Sequence, residues 1–509
     1  MKSLIPIRLS TLRHACLLAV IASFLGLGQI ARANTENDVK NDGSSDLTAS
    51  ATYVNGGPAT TDDVTFTLAT YTNTAFTDGS SITIGTLNDL ASNALTITGS
   101  TGAVLTLNGG TNTVAPSSSD LLYAKSSNLT ISGTGSVNVA AAGNIDVGGS
   151  TTTSIAESLT GTSAITLTGT GTLNLAATSN SGFSGGIIVA NGNLTDSNNT
   201  DLGTGSLTLG SSVATSNAIN IRLNSAGGAY SNAIVVNAGT SASVARSLSS
   251  TNGNGIVFSG TQTLNNGATI TYASGGGAVN VSGNISGTGN VNFGSIGATR
   301  TGTITLSGGV NNAGTITNDS TFKPTGNYSG GNNVISGVIG SNVTGITQNV
   351  AGLSLTLSGV NTNYAGVTNI LNGTLATSGS GTLGQSNINV ADTTGAIFTL
   401  TNPNAIGATG LLSFGNNSVI NLNFTGNDSL AGITDTTTNM SLAAGTYTVN
   451  QLNTFFGDTA FATTDNPTMG TTFTVTAPEP STWALMLGGL GLLIGRMRWQ
   501  TLRNKSQIS

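Results

Sequence analysis

The chain has 509 residues, a formal net charge of −6 and only 7% charged side chains, where an ordinary globular domain carries about 25%. Its one cysteine, Cys16, and one histidine, His14, both precede the expected mature N-terminus. The exported body would therefore hold no disulfide, no cysteine nucleophile, no Ser-His pair, and no zinc or copper site built on Cys or His.

Residues Met1–Ala33 read as a signal peptide. Lys2, Arg8 and Arg13 form a basic start, Ala15–Leu27 an apolar stretch, and Ala31-Arg32-Ala33 a small-x-small cleavage site. The apolar stretch is too short to span a bilayer, which takes ~20 residues. The expected partners at this end are the secretion translocon and signal peptidase.

Residues 34–94 are expected to form an N-terminal cap and the first strands, and residues 95–415 a repeat body. Long straight-chain helix formers are scarce: only Glu36, Glu157 and Glu479 are glutamates. The body is filled instead with Thr, Val, Ile and Ser, types that suit a pleated surface. Short alternating runs end in Ser-Gly or Thr-Gly: LTITG at Leu95–Gly99, LTISG at Leu129–Gly133 and ITLTG at Ile165–Gly169. Later come runs ending at Gly260, Gly283, Gly308, Gly337 and Gly359. Period-two alternation closed by glycine predicts half-buried strands and bends, and an irregular spacing in the low twenties predicts a solenoid. The expected fold is all-β: a right-handed parallel β-helix with caps at both ends. About 17 coils rising ~4.8 Å each would fit, with Leu, Ile, Val and Ala inward and Thr, Ser and Asn outward or stacked in ladders. Residues 416–476 are expected to be a C-terminal β cap, with Leu442–Asn453 its most distinct piece.

The body offers little for catalysis. Glycoside hydrolysis needs two carboxylates facing one groove, and Asp62-Asp63 is the sole adjacent acidic pair. Strand neighbours point to opposite faces, so the pair reads as solvated loop charges. A lyase would want a basic residue beside acidic ligands, yet Lys40, Lys125, Arg222, Arg246, Arg300 and Lys323 are scattered. The glycine pairs Gly133/Gly135, Gly169/Gly171 and Gly287/Gly289 open no helix of a βαβ unit, so they do not predict phosphate binding. The Gly-rich acidic nonapeptide of calcium β-rolls is missing. Six basic and nineteen acidic side chains give the body a charge of −13, which disfavours nucleic acid. No catalytic residue, cofactor or metal is expected.

At the other end Trp483–Gly495 reads WALMLGGLGLLIG, followed by Arg496, Arg498, Arg503 and Lys505. The basic tail would stay cytoplasmic and the body outside. Ahead of it stand Pro478, Glu479, Pro480, Ser481, Thr482 and Trp483. The two prolines bias this segment to an extended form that a protease cleft can bind. The last thirty or so residues resemble the PEP-CTERM sorting signal: Pro-Glu-Pro, then Ser-Thr-Trp-Ala, a short Leu/Gly-rich membrane helix, and a basic stop at Arg496 and Arg498. The tail to Ser509 is longer than the usual short end. The resemblance implies a Gram-negative host and processing by an exosortase, with transient membrane contact through residues 483–495. Sorted proteins of this kind are often matrix or surface components, which makes exopolysaccharide a further expected partner.

A second resemblance covers Leu355–Gly384, which is similar to the autotransporter-associated β-strand repeat. Ser358, Gly359, Asn361, Thr362, Tyr364, Gly366, Thr368, Gly373, Thr374, Leu375 and Leu383 fill that pattern, with Val360 in place of a common alanine and Asn363 as one extra residue. It implies a passenger-type β-helix and little about activity. The chain is thus expected to be an exported structural protein of the cell surface or matrix. An adhesin or glycan-binding protein is the alternative, disfavoured by the placement of both tryptophans in the tail, and a β-helix lyase or hydrolase ranks behind both.

Overall fold

In a computed structural model the described residues are 36–40, 46–212, 216–224, 227–241, 244–251, 253, 255–295, 302–319, 332–457, 459–462 and 470–476, with isolated positions 494 and 496. Ala31, Ala33, Pro478, Glu479, Pro480, Ser481, Thr482, Trp483 and Arg498 lie outside them, as do Arg300 and Lys323. Arg496 is helical and exposed. Among the described residues no helix is long and apolar enough to cross a membrane. The chain divides into two compact units, Met1–Gly171 and Thr172–Ser509.

In the first unit each coil contributes short strands to three parallel stacks. One stack runs Asp63–Phe66, Thr86–Asp89, Asp120–Ala124, Gly143–Val147, Ile165–Leu167. The second runs Ala75–Asp78, Leu95–Gly99, Leu129–Gly133, Thr152–Ile155. The third runs Ile82–Ile84, Val104–Leu107, Ser136–Val139, Ser158–Thr160. Alternation dictates this arrangement. Leu95 pairs with Leu129 and Ile97 with Ile131, all buried, while Thr96 pairs with Thr130 on the outer face. Matching β-branched and aliphatic side chains stack coil on coil, the packing that a pleated surface rewards. Near the unit's start the edge-packed rings of Phe66, Tyr71 and Phe76, 4.9–6.2 Å apart, fill the interior.

The second unit repeats the plan. One of its stacks includes Ile256–Phe258, Val279–Val281, Ile304–Leu306, Asn333–Ile335 and the ends of Val343–Leu357 and Val367–Thr377. Phe258, Val281, Leu306, Ile335 and Leu357 are consecutive inward rungs. Just beyond each rung the chain turns at Ser-Gly. The N–H groups of Ser282 and Gly283 both donate to Phe258 O, those of Ser307 and Gly308 to Val281 O, and those of Ser336 and Gly337 to Leu306 O, all at 2.8–3.0 Å. Only glycine fits there. A Cβ on Gly260, Gly283, Gly308, Gly337 or Gly359 would sit 2.5–2.9 Å from a carbonyl carbon of the coil before.

The nearly all-β parallel solenoid expected from the sequence is therefore present, with about 15 turns rather than about 17. Long corners lengthen single coils: Leu87 pairs with Leu122 across one step, whereas Leu122 pairs with Ile145. Gly169 does not continue the column of Gly99 and Gly133. It packs on Val147 and Asp146, and the rung after Gly133 belongs to Glu157.

The region after residue 430 departs from the all-β expectation. Gly445–Thr448 pairs antiparallel with Thr472–Val475, which pairs parallel with Asn427–Leu430. Between them Val449–Phe456 is an α-helix. A capping box starts it, because the Thr448 side chain accepts from Gln451 N–H and Gln451 accepts from Thr448 N–H. Gly457, left-handed at φ 73°, ends it. The helix seats Phe456 against Phe414 and Phe461, with ring centroids 5.0 and 6.2 Å away.

Candidate functional site

Asp62 and Asp63 are not solvated loop charges. Both are buried, because neighbouring coils and turns supply donors that a free loop would lack. Asp63 accepts from the Thr86 hydroxyl at 2.7 Å and from the Thr113 N–H and hydroxyl at 3.1 Å. Asp62 accepts from Ala59 N–H at 2.7 Å. These donors differ for the two carboxylates.

Other carboxylates also occupy corners. Asp196 accepts from Tyr230 Oη at 2.5 Å and Asn224 N–H at 2.7 Å. Asp89 accepts from Ala91 N–H and the Ser127 hydroxyl, and Asp428 from the N–H groups of Ile406 and Ser429. Glu157, 1% exposed, extends over its corner and accepts from Gly99 N–H at 2.7 Å, while Oε2 is buried without a partner. The missing side chains of Gly99 and Gly135 leave it room. Burial pushes these acids up, to about 6 for Asp89 and about 7 for Glu157, Asp196 and Asp428. Each has its own donors, with the Asp78 carboxylate near Glu157 and that of Asp201 near Asp196, and among the described residues no three His, Cys, Asp or Glu side chains are placed to hold a metal ion.

Arg246, one of the six basic residues scattered along the body, is 1% exposed. It donates from Nη1 to the carbonyls of Asn217 (2.5 Å) and Ala245 (3.2 Å), while Nε and Nη2 are buried without partners. Burial lowers its pKa.

The residues of the Leu355–Gly384 stretch do structural work. Tyr364 is buried, with Oη 3.2 Å from Val367 O and from the Thr368 hydroxyl, which meets Ser386 at 2.7 Å. Asn361, also buried, donates to Thr382 O and accepts from Ile339 N–H, each at 2.7 Å. A Cβ on Gly366 would strike Thr344, and Gly373 and Gly384 take left-handed backbone.

The outer faces carry polar ladders that knit coil to coil, alongside exposed apolar side chains such as Val338, Val360 and Leu371. Asn265 donates to Asn237 at 3.0 Å, Asn389 to Asn369 at 2.9 Å, Thr195 to Asn174 at 2.9 Å and Ser307 to Asn280 at 2.7 Å. Among the described residues, grooves interrupt such faces. In the first unit, stacked corners bearing Lys125, Ser126, Asn128, Gly149 and Ser150 line about 560 Å³. In the second, Tyr447, Asn450, Gln451, Thr454 and Phe455 line about 390 Å³. The latter was missed in the sequence because the two rings belong to a strand and a helix. The Thr448-x-x-Gln451 capping box ahead of Leu452, Phe455 and Phe456 was the signal for that helix.

No protein-family model matches the chain, and neither does any curated protein or solved structure.

Proposed function

We propose that the chain is an exported structural protein of the cell surface or the exopolysaccharide matrix. In this reading Met1–Ala33 directs it to the translocon and is cut after Ala33 by signal peptidase. An exosortase then acts at Pro478-Glu479-Pro480, while residues 483–495 hold the tail briefly in the membrane and Arg496 and Arg498 stop transfer. The coils wind right-handed, the chain resides at the outer surface of a Gram-negative cell, and no catalytic step is assigned to it. The observation that carries the structural role is the exterior: Asn, Ser and Thr side chains spend their hydrogen bonds on the next coil, which stiffens a stack while leaving few groups aimed at a substrate. Support for the sorting route comes from the order of Pro-Glu-Pro, apolar stretch and basic stop.

The intact mass of the protein taken from its native envelope or culture fluid tests the route. The expected species lacks Met1–Ala33 and everything near or beyond Pro478, and so lacks Trp, His and Cys. A retained C-terminus would overturn processing by an exosortase. A glycan-binding role is favoured by one observation, the paired rings of the second unit's groove.

A further inference from the structure

We propose that the groove between Tyr447 and Phe455 binds a neutral polysaccharide segment, its sugar rings on the aromatic faces and its hydroxyls met by the amides of Asn450 and Gln451. The proposal deepens the matrix reading by naming a partner class, yet it rests on the groove alone.

Both rings are held in place before any ligand arrives. Phe455 is 41% exposed, large for a phenyl ring, and its ring meets Phe456 edge-on at 5.0 Å and 90°. Phe456 is itself locked edge-on against Phe414. Tyr447 lies across Gly445, where a Cβ would come within 3.2–3.3 Å of the ring and its oxygen, and its hydroxyl donates to Ala443 O at 3.0 Å. A side chain at 445 would crowd the ring and push it by a few tenths of an ångström. A preset ring costs less ordering on binding, and an aromatic face, negative in its quadrupole, attracts the weakly positive C–H groups that line one side of a sugar.

The polar groups are arranged to serve hydroxyls. Gln451 Oε1 is committed to the Thr448 N–H and hydroxyl at 2.8 and 3.0 Å, which leaves its NH₂ to donate outward. The Thr454 hydroxyl is tied to Asn450 O, and the Asn450 amide is exposed. Apolar faces with a few fixed polar groups make up a small-ligand site, and about 390 Å³ suits a short segment.

The chemistry narrows the occupant. None of the five lining residues is charged, so an acidic polymer gains no ion pair there, in contrast to the Lys125 groove. One exposed phenyl ring is far less apolar area than a stable protein interface or a membrane surface uses. Neutral sugar rings match both the size and the mixture of faces and amides.

Affinity electrophoresis of the full-length protein tests this, in gels carrying hydroxyethyl cellulose, xyloglucan, dextran or, as the acidic counterpart, alginate. At least one neutral polymer should retard the protein. Apparent affinity should fall at least tenfold in Phe455→Ala and Tyr447→Ala, stay within twofold in Phe455→Tyr, and be unchanged in Lys125→Ala. If Phe455→Ala loses helical circular dichroism, Asn450→Ala replaces it, with at least threefold weakening expected. The proposal is overturned if no neutral polymer retards the protein, if alginate alone does, or if the groove variants bind as the parent does. None of these outcomes alters the intact mass, so the sorting route stands or falls separately.

Discussion

Replacing Gly308 by alanine tests the Ser-Gly corner directly. The new Cβ would lie 2.6 Å from the carbonyl carbon of Gly283 and 2.7 Å from Ser282 O. Both are backbone atoms of the neighbouring coil, so no side chain can swing aside. The coils must part locally, which weakens the two bonds from Ser307 and Gly308 to Val281 O. Overpacking costs about 1–3 kcal/mol and each weakened bond about 0.5–1.5 kcal/mol. The narrowed unfolded ensemble returns about 0.4–1 kcal/mol. The expected loss is therefore about 1–6 kcal/mol. Solenoids open in parts, so the readout is hydrogen exchange at Ser307, Gly308 and their neighbours, alongside urea unfolding. Gly276→Ala is the control: its Cβ meets nothing nearer than 3.9 Å, and exchange should be unchanged or slower. Equal effects from the two substitutions, or faster exchange confined to the control, would refute the steric argument.

The raised carboxylates predict a pH dependence. Asp89, Glu157, Asp196 and Asp428 ionise at about 6–7 in the folded chain and near 4 when unfolded. Over that window the unfolded chain has released protons that the folded chain keeps, so their contribution is full below about pH 4 and lost as pH rises through 6–7. Urea midpoints should be higher at pH 5 than at pH 8, and Glu157→Gln should shrink the difference; equal midpoints in the parent would contradict this. Arg246→Met removes a buried cation whose Nε and Nη2 lack partners, and thermal unfolding should move up or stay put, whereas a large drop would show that its carbonyl bonds dominate. Asn333→Leu withdraws the 3.0 Å donor to Asn318 and the 3.2 Å acceptor of Ile304 N–H inside the core. A loss of about 1–3 kcal/mol in urea unfolding is expected, and a gain would show that the polar network contributes nothing net.

Period-two runs closed by Ser-Gly were visible in the sequence because both constraints act locally: alternation sorts side chains, and the corner excludes a Cβ. The interior polar groups were hidden for the opposite reason. Glu157 bonds Gly99, 58 positions away, and Thr113 serves Asp63 across 50, so no window of neighbouring residues reveals them. Asp62-Asp63 reads as surface charge by composition, and only the stacked coils show the donors that make its burial tolerable. The helix at Val449–Phe456 was masked by Gly445–Val449, whose Thr, Tyr and Val favour strand; the capping box then redirects the chain. The aromatic groove follows from that redirection, since a strand would not have brought Phe455 beside Tyr447.

The Ser-Gly column also makes length a heritable variable. The backbone of each corner reads a carbonyl of the coil before it, so adding or deleting one whole coil between Gly283 and Gly308 leaves the remaining corners with equivalent backbone neighbours. A shift of one residue does not, because it puts a side chain against that carbonyl and turns the inward rungs outward. Duplication or loss of complete coils is therefore the tolerated path of variation, and related chains should differ in steps of a turn, roughly 20–30 residues by the usual strand and corner lengths.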